Sequence, residues 1–233
     1  MPPVIKKTRA RRKAERPTEI LDAAFEEFVK SGYAATRLED VAARAGVTKG
    51  TIYFYFETKE RVFEEMVRHT SLRFFSDLGN FASSLQGSHT SRLRDLIVFV
   101  YGRIADSRES RETLRFLIAE GTRFPELVER HYDEFVQPML DEFQRIIQAG
   151  IAAGEFRAAP ATAYTEIVLS PALLLSLWAL LFGSRNAIDI AVFTDASIDL
   201  LMRGLAPTDP IDRVDQDHQP TAVKSMAKSS RRR

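Results

Sequence analysis

The segment VTKGTIYFYFETKE, Val47–Glu60, sets four consecutive aromatic residues between Thr-Lys-Gly-Thr and Glu-Thr-Lys-Glu. In a helix starting at Thr48, Lys49 and Tyr53 share one face, Gly50 and Phe54 a second, and Ile52 and Phe56 a third. The apolar pair Ile52 and Phe56 suits the inside. Lys49, Thr51, Tyr53 and Phe54 are then offered outward, an ammonium, a hydroxyl and two rings able to meet phosphates and base edges. Gly50 leaves the helix start bare, where a phosphate or groove wall needs close approach.

No comparable constellation points to catalysis. His69, His89, His131 and His218 are scattered, without a second metal ligand at zinc-motif spacing, and there is no cysteine for disulfides or thiolate sites. Adjacent carboxylates such as Glu26–Glu27 and Glu64–Glu65 have the pattern of a solvated helix face. Neither a Gly-rich phosphate loop nor G-x-S-x-G is present. The reading is of a non-enzyme with no catalytic residue, metal or cofactor.

The elements that must position Val47–Glu60 come from helical periodicity. RPTEILDAAFEEFVKSGY places Ile20, Leu21, Ala24, Phe25, Phe28 and Val29 on one face, with Pro17 suited to the first turn and Gly32 to the end. In TRLEDVAARAGV, Thr36 and Glu39 have the spacing of a capping box, Leu38, Val41, Ala42 and Ala45 form the inward stripe, and Gly46 ends the helix. Thr48 caps the next helix, its hydroxyl accepting from the N–H of Gly50 or Thr51. Two short helices joined by so tight a turn, behind a longer one, outline a helix-turn-helix.

The stretch TRLEDVAARAGVTKGTIYFYFETKERVFEEMV, Thr36–Val67, with the helix before it, resembles the N-terminal domain of the TetR family of transcriptional regulators. The resemblance implies a DNA-binding helix-turn-helix in which Thr36, Thr48, Tyr55 and Lys59 hold phosphates of double-stranded operator DNA while Lys49, Thr51 and Tyr53 approach base edges; Arg37 and Gly50 belong to the same surface. Many family members carry histidine where this chain has Phe54, so a thymine-methyl contact or a packing role is expected there.

Charge follows the same division. Residues 1–16 hold seven Lys/Arg against one Glu, a basic arm expected to be disordered and to seek phosphates, while the whole chain is only +1. The absence of an apolar run behind that arm argues against a secretory signal and for a cytoplasmic protein. Ile167–Gly183 lacks charge but is short for a membrane span and carries Pro171, so a buried or interface helix is expected and no membrane partner.

The full expectation is an all-α chain of about nine helices: the arm at 1–16, the helix-turn-helix domain at 17–63, a helical-bundle domain at 64–206, and a disordered tail at 207–233. A fourth helix from Thr58 links the parts, and further helices are expected at about 90–106, 108–121, 125–152, 160–183 and 189–204, with Pro138 and Pro171 kinking or breaking two of them. By resemblance the bundle binds a small-molecule effector, partly apolar, and forms a homodimer. Candidate ligand residues are Phe99, Arg103, Phe116, Glu120, Arg123, Phe124, Tyr132, Phe135, Tyr164 and Trp178, although a core built from the same aromatics reads identically. The function expected is a repressor released from a palindromic operator by its effector. The alternatives are an enzyme with an attached helix-turn-helix and a sequence-tolerant architectural DNA binder.

Overall fold

The computed structural model describes residues 9–207 apart from 159–161, 163, 184 and 186, and every regular element among them is helical. The expected helix-turn-helix unit, for brevity the reader, comprises α1 (Arg9–Ala35), α2 (Leu38–Ala45) and α3 (Lys49–Phe56), and α4 (Lys59–Ser84) runs from it into the rest of the chain. The bundle continues with α5 (His89–Asp106), α6 (Arg108–Glu120) and α7 (Pro125–His131), which passes through a π-helical turn (Tyr132–Val136) into α8 (Gln137–Ala152). It closes with α9 (Glu166–Phe182) and α10 (Ile190–Leu205).

Helix α1 begins earlier than its sequence signals place it. It runs back to Arg9 with Pro17 inside it, so the described part of the basic arm is helical; residues 1–8 and the tail from 208 lie outside the described residues. Gly32, at φ 72° and ψ 169°, breaks the helical path near the expected end, a left-handed φ that glycine adopts without a Cβ penalty. Gly46 does the same for α2 at φ 63°, its N–H capping the Ala42 and Ala43 carbonyls.

The capping box expected at Thr36 and Glu39 does not form. Arg37 is the N-cap of α2 and makes no side-chain cap bond. The Thr36 hydroxyl instead donates to the carbonyls of Gly32 at 2.7 Å and Glu27 at 3.0 Å, tying α2 to the end of α1. The Gly32 carbonyl also accepts from the Thr36 N–H at 3.3 Å, so backbone and side chain of Thr36 are both tied to the end of α1.

The prolines interrupt less than expected. Pro171 lies inside a continuous α9, and Pro138 occupies the first turn of α8, where its missing N–H costs least. The π-helical turn immediately before Pro138 absorbs the irregularity instead.

Two apolar cores organise the chain. One joins Ile20, Phe28, Val41, Ile52, Phe63 and Val67 of α1–α4 to Phe116, Phe124 and Leu127 from the α6–α7 corner. Its rings interlock edge to face, with Phe63 centred 5.1 Å from Phe28 and 5.5 Å from Phe116. The other core lies within α4, α5, α8, α9 and α10 around Leu93, Leu96, Tyr101, Phe143 and Ile146. Each end of α4 contributes to one of the two.

Candidate nucleic-acid interface and bundle cavity

The short α3 is built to show most of itself. Only Ile52 and Phe56 are buried, seating it against α2 and α4, while Tyr53 is 43% and Phe54 72% exposed. Thr48 caps it, Oγ1 accepting from the Thr51 N–H at 3.2 Å and lying 2.9 Å from Thr51 Oγ1. A Cβ at Gly50 would meet only Thr48 Oγ1, at 3.8 Å, so the protein's own packing does not require that glycine. Glu57 ends α3 at φ 62°, a strained conformation for a non-glycine residue, and the Thr58 N–H donates to the Phe56 carbonyl at 2.6 Å.

Lys49 and Tyr53 form one outward unit, the ammonium lying 5.4 Å from the ring centroid. Lys49 Nζ also reaches Glu39 Oε1 of α2 at 2.7 Å, and the hydrogen bond raises its pKa above the ordinary lysine value. Both partners are exposed, so the pair is weak and exchangeable for a phosphate. Arg37 is exposed beside Asp40 at 3.3 Å. Tyr55 is half-buried against the reader core, its ring 5.1 Å from that of Phe54.

Two residues expected to hold phosphates are otherwise engaged. Thr36 is 3% exposed with its hydroxyl donating to backbone, which removes it from any DNA-facing surface. Lys59 Nζ donates to the Ala34 carbonyl at 3.2 Å and sits over the Tyr33 ring at 4.6 Å, and partial burial lowers its pKa.

The bundle holds a cavity of about 700 Å³. Its apolar wall includes Phe74, Ile104, Leu114, Met139, Leu169 and Leu173, contributed by α4, α5, α6, α8 and α9. Of the ten candidate ligand residues, Arg103 and Tyr132 line it. The other eight are elsewhere. Phe116 and Phe124 belong to the reader core, and α6 stops at Glu120, so Arg123 falls in the turn to α7 instead of continuing one helical face. Phe135 is buried and stacks on Phe75, Phe99 stacks on Phe81 at 4.2 Å, Tyr164 is exposed, and Trp178 packs edge-on against Phe182.

Sequence reasoning missed most of the cavity's polar wall, including Thr70, Ser71, Thr113, His131 and Ser176. His131 Nδ1 lies 3.3 Å from Ser71 Oγ, and burial pushes its pKa down to about 4, so the ring is neutral at pH 7. Hydroxyls and a lone imidazole inside helical periodicity read as ordinary helix, and no signal in the sequence marks them. Among the described residues there is no metal-binding cluster of His, Cys, Asp or Glu, and no helix is long and apolar enough to cross a membrane.

Against known proteins, the profile of the bacterial regulatory proteins of the tetR family matches residues 20–66, and that of the AefR-like transcriptional repressor C-terminal domain matches residues 93–188. The HTH-type transcriptional repressor KstR2 of Rhodococcus jostii is 29% identical over 153 residues, 63% of this chain and 70% of that protein. The probable acrEF/envCD operon repressor of Escherichia coli is 41% identical over 56 residues, 24% of this chain and 26% of that protein. Among solved structures, a transcriptional regulator of the TetR/AcrR family from Thermobifida fusca superposes with a TM-score of 0.61 at 28% identity, covering 82% of this chain and 98% of that one. The transcriptional regulator FadR from Bacillus subtilis, solved with stearoyl-CoA, has a TM-score of 0.65 at 18% identity, covering 81% and 98%, a likeness of fold alone.

Proposed function

The chain belongs to the TetR family of transcriptional regulators, and from that premise we propose that it represses transcription as a homodimer, releasing a palindromic operator when a small molecule fills the bundle cavity. The observation that carries this reading is the double membership of α4. Val62, Phe63, Met66 and Val67 of that helix pack in the reader core, whereas Thr70, Ser71, Phe74 and Phe75 line the cavity. One rigid element therefore meets both the DNA reader and the ligand space, so a ligand that shifts the distal half of α4 displaces α3.

The proposed DNA surface consists of Lys49, Thr51, Tyr53 and Phe54 toward the major groove, with Thr48, Arg37 and Tyr55 beside them and Gly50 allowing close approach. The homodimer is supported by α9 and α10, where Leu173, Leu174, Leu181, Val192 and Leu200 are large apolar side chains exposed in the isolated chain. A two-fold pairing through these helices buries the same patch twice and matches an inverted repeat.

The test is fluorescence anisotropy with the DNA upstream of the chain's own coding region, searched for an inverted repeat. Tight, salt-sensitive binding to that repeat over scrambled DNA is expected, with loss of binding on addition of a cavity ligand. Equal affinity for repeat and scrambled DNA at physiological salt would favour architectural binding instead.

A further inference from the structure

The charged side chains that line the bundle cavity are Arg73 of α4, Arg103 of α5, Glu109 of α6 and Glu166 of α9, and all of them are exposed to solvent at its open side. The cations are already partnered by carboxylates that do not belong to the wall. Arg73 reaches Asp22 of α1 at 3.4 Å, and Asp22 also meets His69 Nε2 at 3.1 Å. Arg103 pairs with Asp77 of α4 and lies 5.5 Å from the Phe99 ring centroid. The anions are not so partnered. Among the described residues neither glutamate makes an ion pair; Glu109 accepts a hydrogen bond from Ser107 Oγ at 3.2 Å, and Glu166 accepts none. Arg108, next to Glu109 in the chain, is committed to both carboxylate oxygens of Glu26, at 2.7 and 3.1 Å.

The fold brings the unpaired carboxylates to one end of the cavity. Near the end of α5 the Tyr101 hydroxyl donates to the Val168 carbonyl in the first turn of α9. Glu166 stands two residues before that carbonyl, and Glu109 lies in the first turn of α6, directly after α5 ends at Asp106. His131, elsewhere on the wall, is held neutral by burial and adds no positive charge. With each arginine offset by its aspartate, the charge left over at this opening is negative.

We infer that the effector is a lipophilic organic cation, whose apolar body fills the cavity while its positive charge rests at the opening beside Glu109 and Glu166. This rests on the effector reading of the cavity given above. Apolar walls around an opening concentrate the field of unpaired charges there, so the glutamates draw in cations and repel anions. An anionic ligand meets that repulsion and must also displace Asp22 or Asp77 to reach an arginine. Half-buried Phe74 and exposed Tyr132 put aromatic rings on the same wall, and a ring face attracts a cation and not an anion. The volume of about 700 Å³ accommodates an apolar body of drug size.

The test uses the full-length protein and titration calorimetry with probes of similar bulk and different charge: tetraphenylphosphonium, tetraphenylborate and neutral triphenylphosphine oxide. The phosphonium is expected to bind about ten-fold more tightly than the neutral probe and the borate more weakly than either, with the spread narrowing as salt is raised. The double variant Glu109→Gln, Glu166→Gln is expected to melt as the parent does, since neither carboxylate holds an ion pair. It should lose about ten-fold in affinity for the phosphonium and keep its affinity for the neutral probe. Borate binding as tightly as the phosphonium overturns the inference. So does a double variant that keeps its phosphonium affinity, or one that loses the neutral probe equally, because the glutamates then shape the cavity without selecting charge. The single variants, measured alongside, keep the comparison available if the double variant folds poorly. Failure of all the probes to bind overturns the cavity as a ligand site. Operator release is scored separately: phosphonium binding without release supports the charge selection and overturns the effector role of the cavity.

Discussion

Arg123, in the turn between α6 and α7, holds its guanidinium 4.6 Å from the ring centroid of Tyr33 at the end of α1. Lys59 Nζ lies at the same distance from that ring, whose hydroxyl donates to Glu60 Oε1 at 2.8 Å. Burial, reinforced by Glu60, pushes the Tyr33 pKa up to about 12, so the phenol stays a donor throughout the physiological range. The contact fastens the bundle to the reader at the point where α4 begins.

Because Arg123 is exposed, its ring contact is worth only about 0.5–1 kcal/mol. Phe116, 1% exposed in the shared core, should cost about 3–5 kcal/mol when cut to alanine. Urea denaturation of Arg123→Ala and Phe116→Ala should show that contrast, with operator binding lost in parallel with stability for Phe116→Ala. A stable Phe116→Ala protein with altered effector affinity alone would return Phe116 to the ligand site.

Thr36→Val tests the corrected role of the threonine. Removing a buried hydroxyl that donates to the Gly32 and Glu27 carbonyls should cost about 1–3 kcal/mol. Operator affinity measured well below the melting temperature should stay within about two-fold of the parent, since no phosphate contact is removed. A large loss of affinity in a fully folded variant would restore the phosphate role.

Tyr53→Ala should do the opposite. With the side chain 43% exposed and no part in the core, stability should change by less than about 0.5 kcal/mol while operator affinity falls about ten-fold. Anisotropy titration alongside circular dichroism checks both halves, and unchanged affinity would show that this face does not meet DNA.

Two groups of the bundle with depressed pKa values, His131 and Glu155, act in different pH windows. The His131 pKa is depressed from 6.5 to about 4 in the folded chain, so the unfolded state binds more protons between those values and stability falls as pH drops through that range. Glu155 is held down to about 2, from an ordinary 4.5, by the Thr90 N–H, the His89 side chain and the His89 N–H, and its contribution disappears only below pH 4.5. Melting temperature followed from pH 7 to 5 should decline in the parent and flatten in His131→Gln. An equal slope in both proteins would assign the acid sensitivity elsewhere.

Leu200, 73% exposed on α10, is the sharpest probe of the dimer. Leu200→Glu should sediment as a monomer at low micromolar concentration with its helical content intact, where the parent should sediment at twice the monomer mass. A variant that remains dimeric would move the two-fold axis away from this helix.

The reader was legible because its signals are local. Ile52 and Phe56 four residues apart, a threonine capping α3 and another capping α4, and Gly46 after α2 each specify backbone within a few residues. Thr36 misled for the complementary reason: its spacing to Glu39 fits a capping box, but its hydroxyl bonds to carbonyls of α1, a contact set by how the two helices meet. The bundle was legible only as helices. Phe116 and Phe124 are indistinguishable in sequence from cavity aromatics, and their burial against Phe63 and Tyr33 is set by the path of the chain over a separation no periodicity spans. Thr113 and Ser176 carried still less signal, since helical hydroxyls usually satisfy themselves.

The aromatic core that joins Phe28, Phe63, Phe116 and Phe124 also governs how the molecule can be recombined. A chimera that grafts this reader onto another bundle at a seam within α4 would leave behind the rings of the α6–α7 corner, opening a void against Phe63 where Phe116 and Phe124 now sit. The exchangeable cassette is consequently discontinuous in the chain: it comprises α1 through the first half of α4 together with the segment from Phe116 to Leu127. Rewriting the outward residues of α3 should, by contrast, leave the fold intact, because the buried Ile52 and Phe56, with the half-buried Tyr55, anchor that helix.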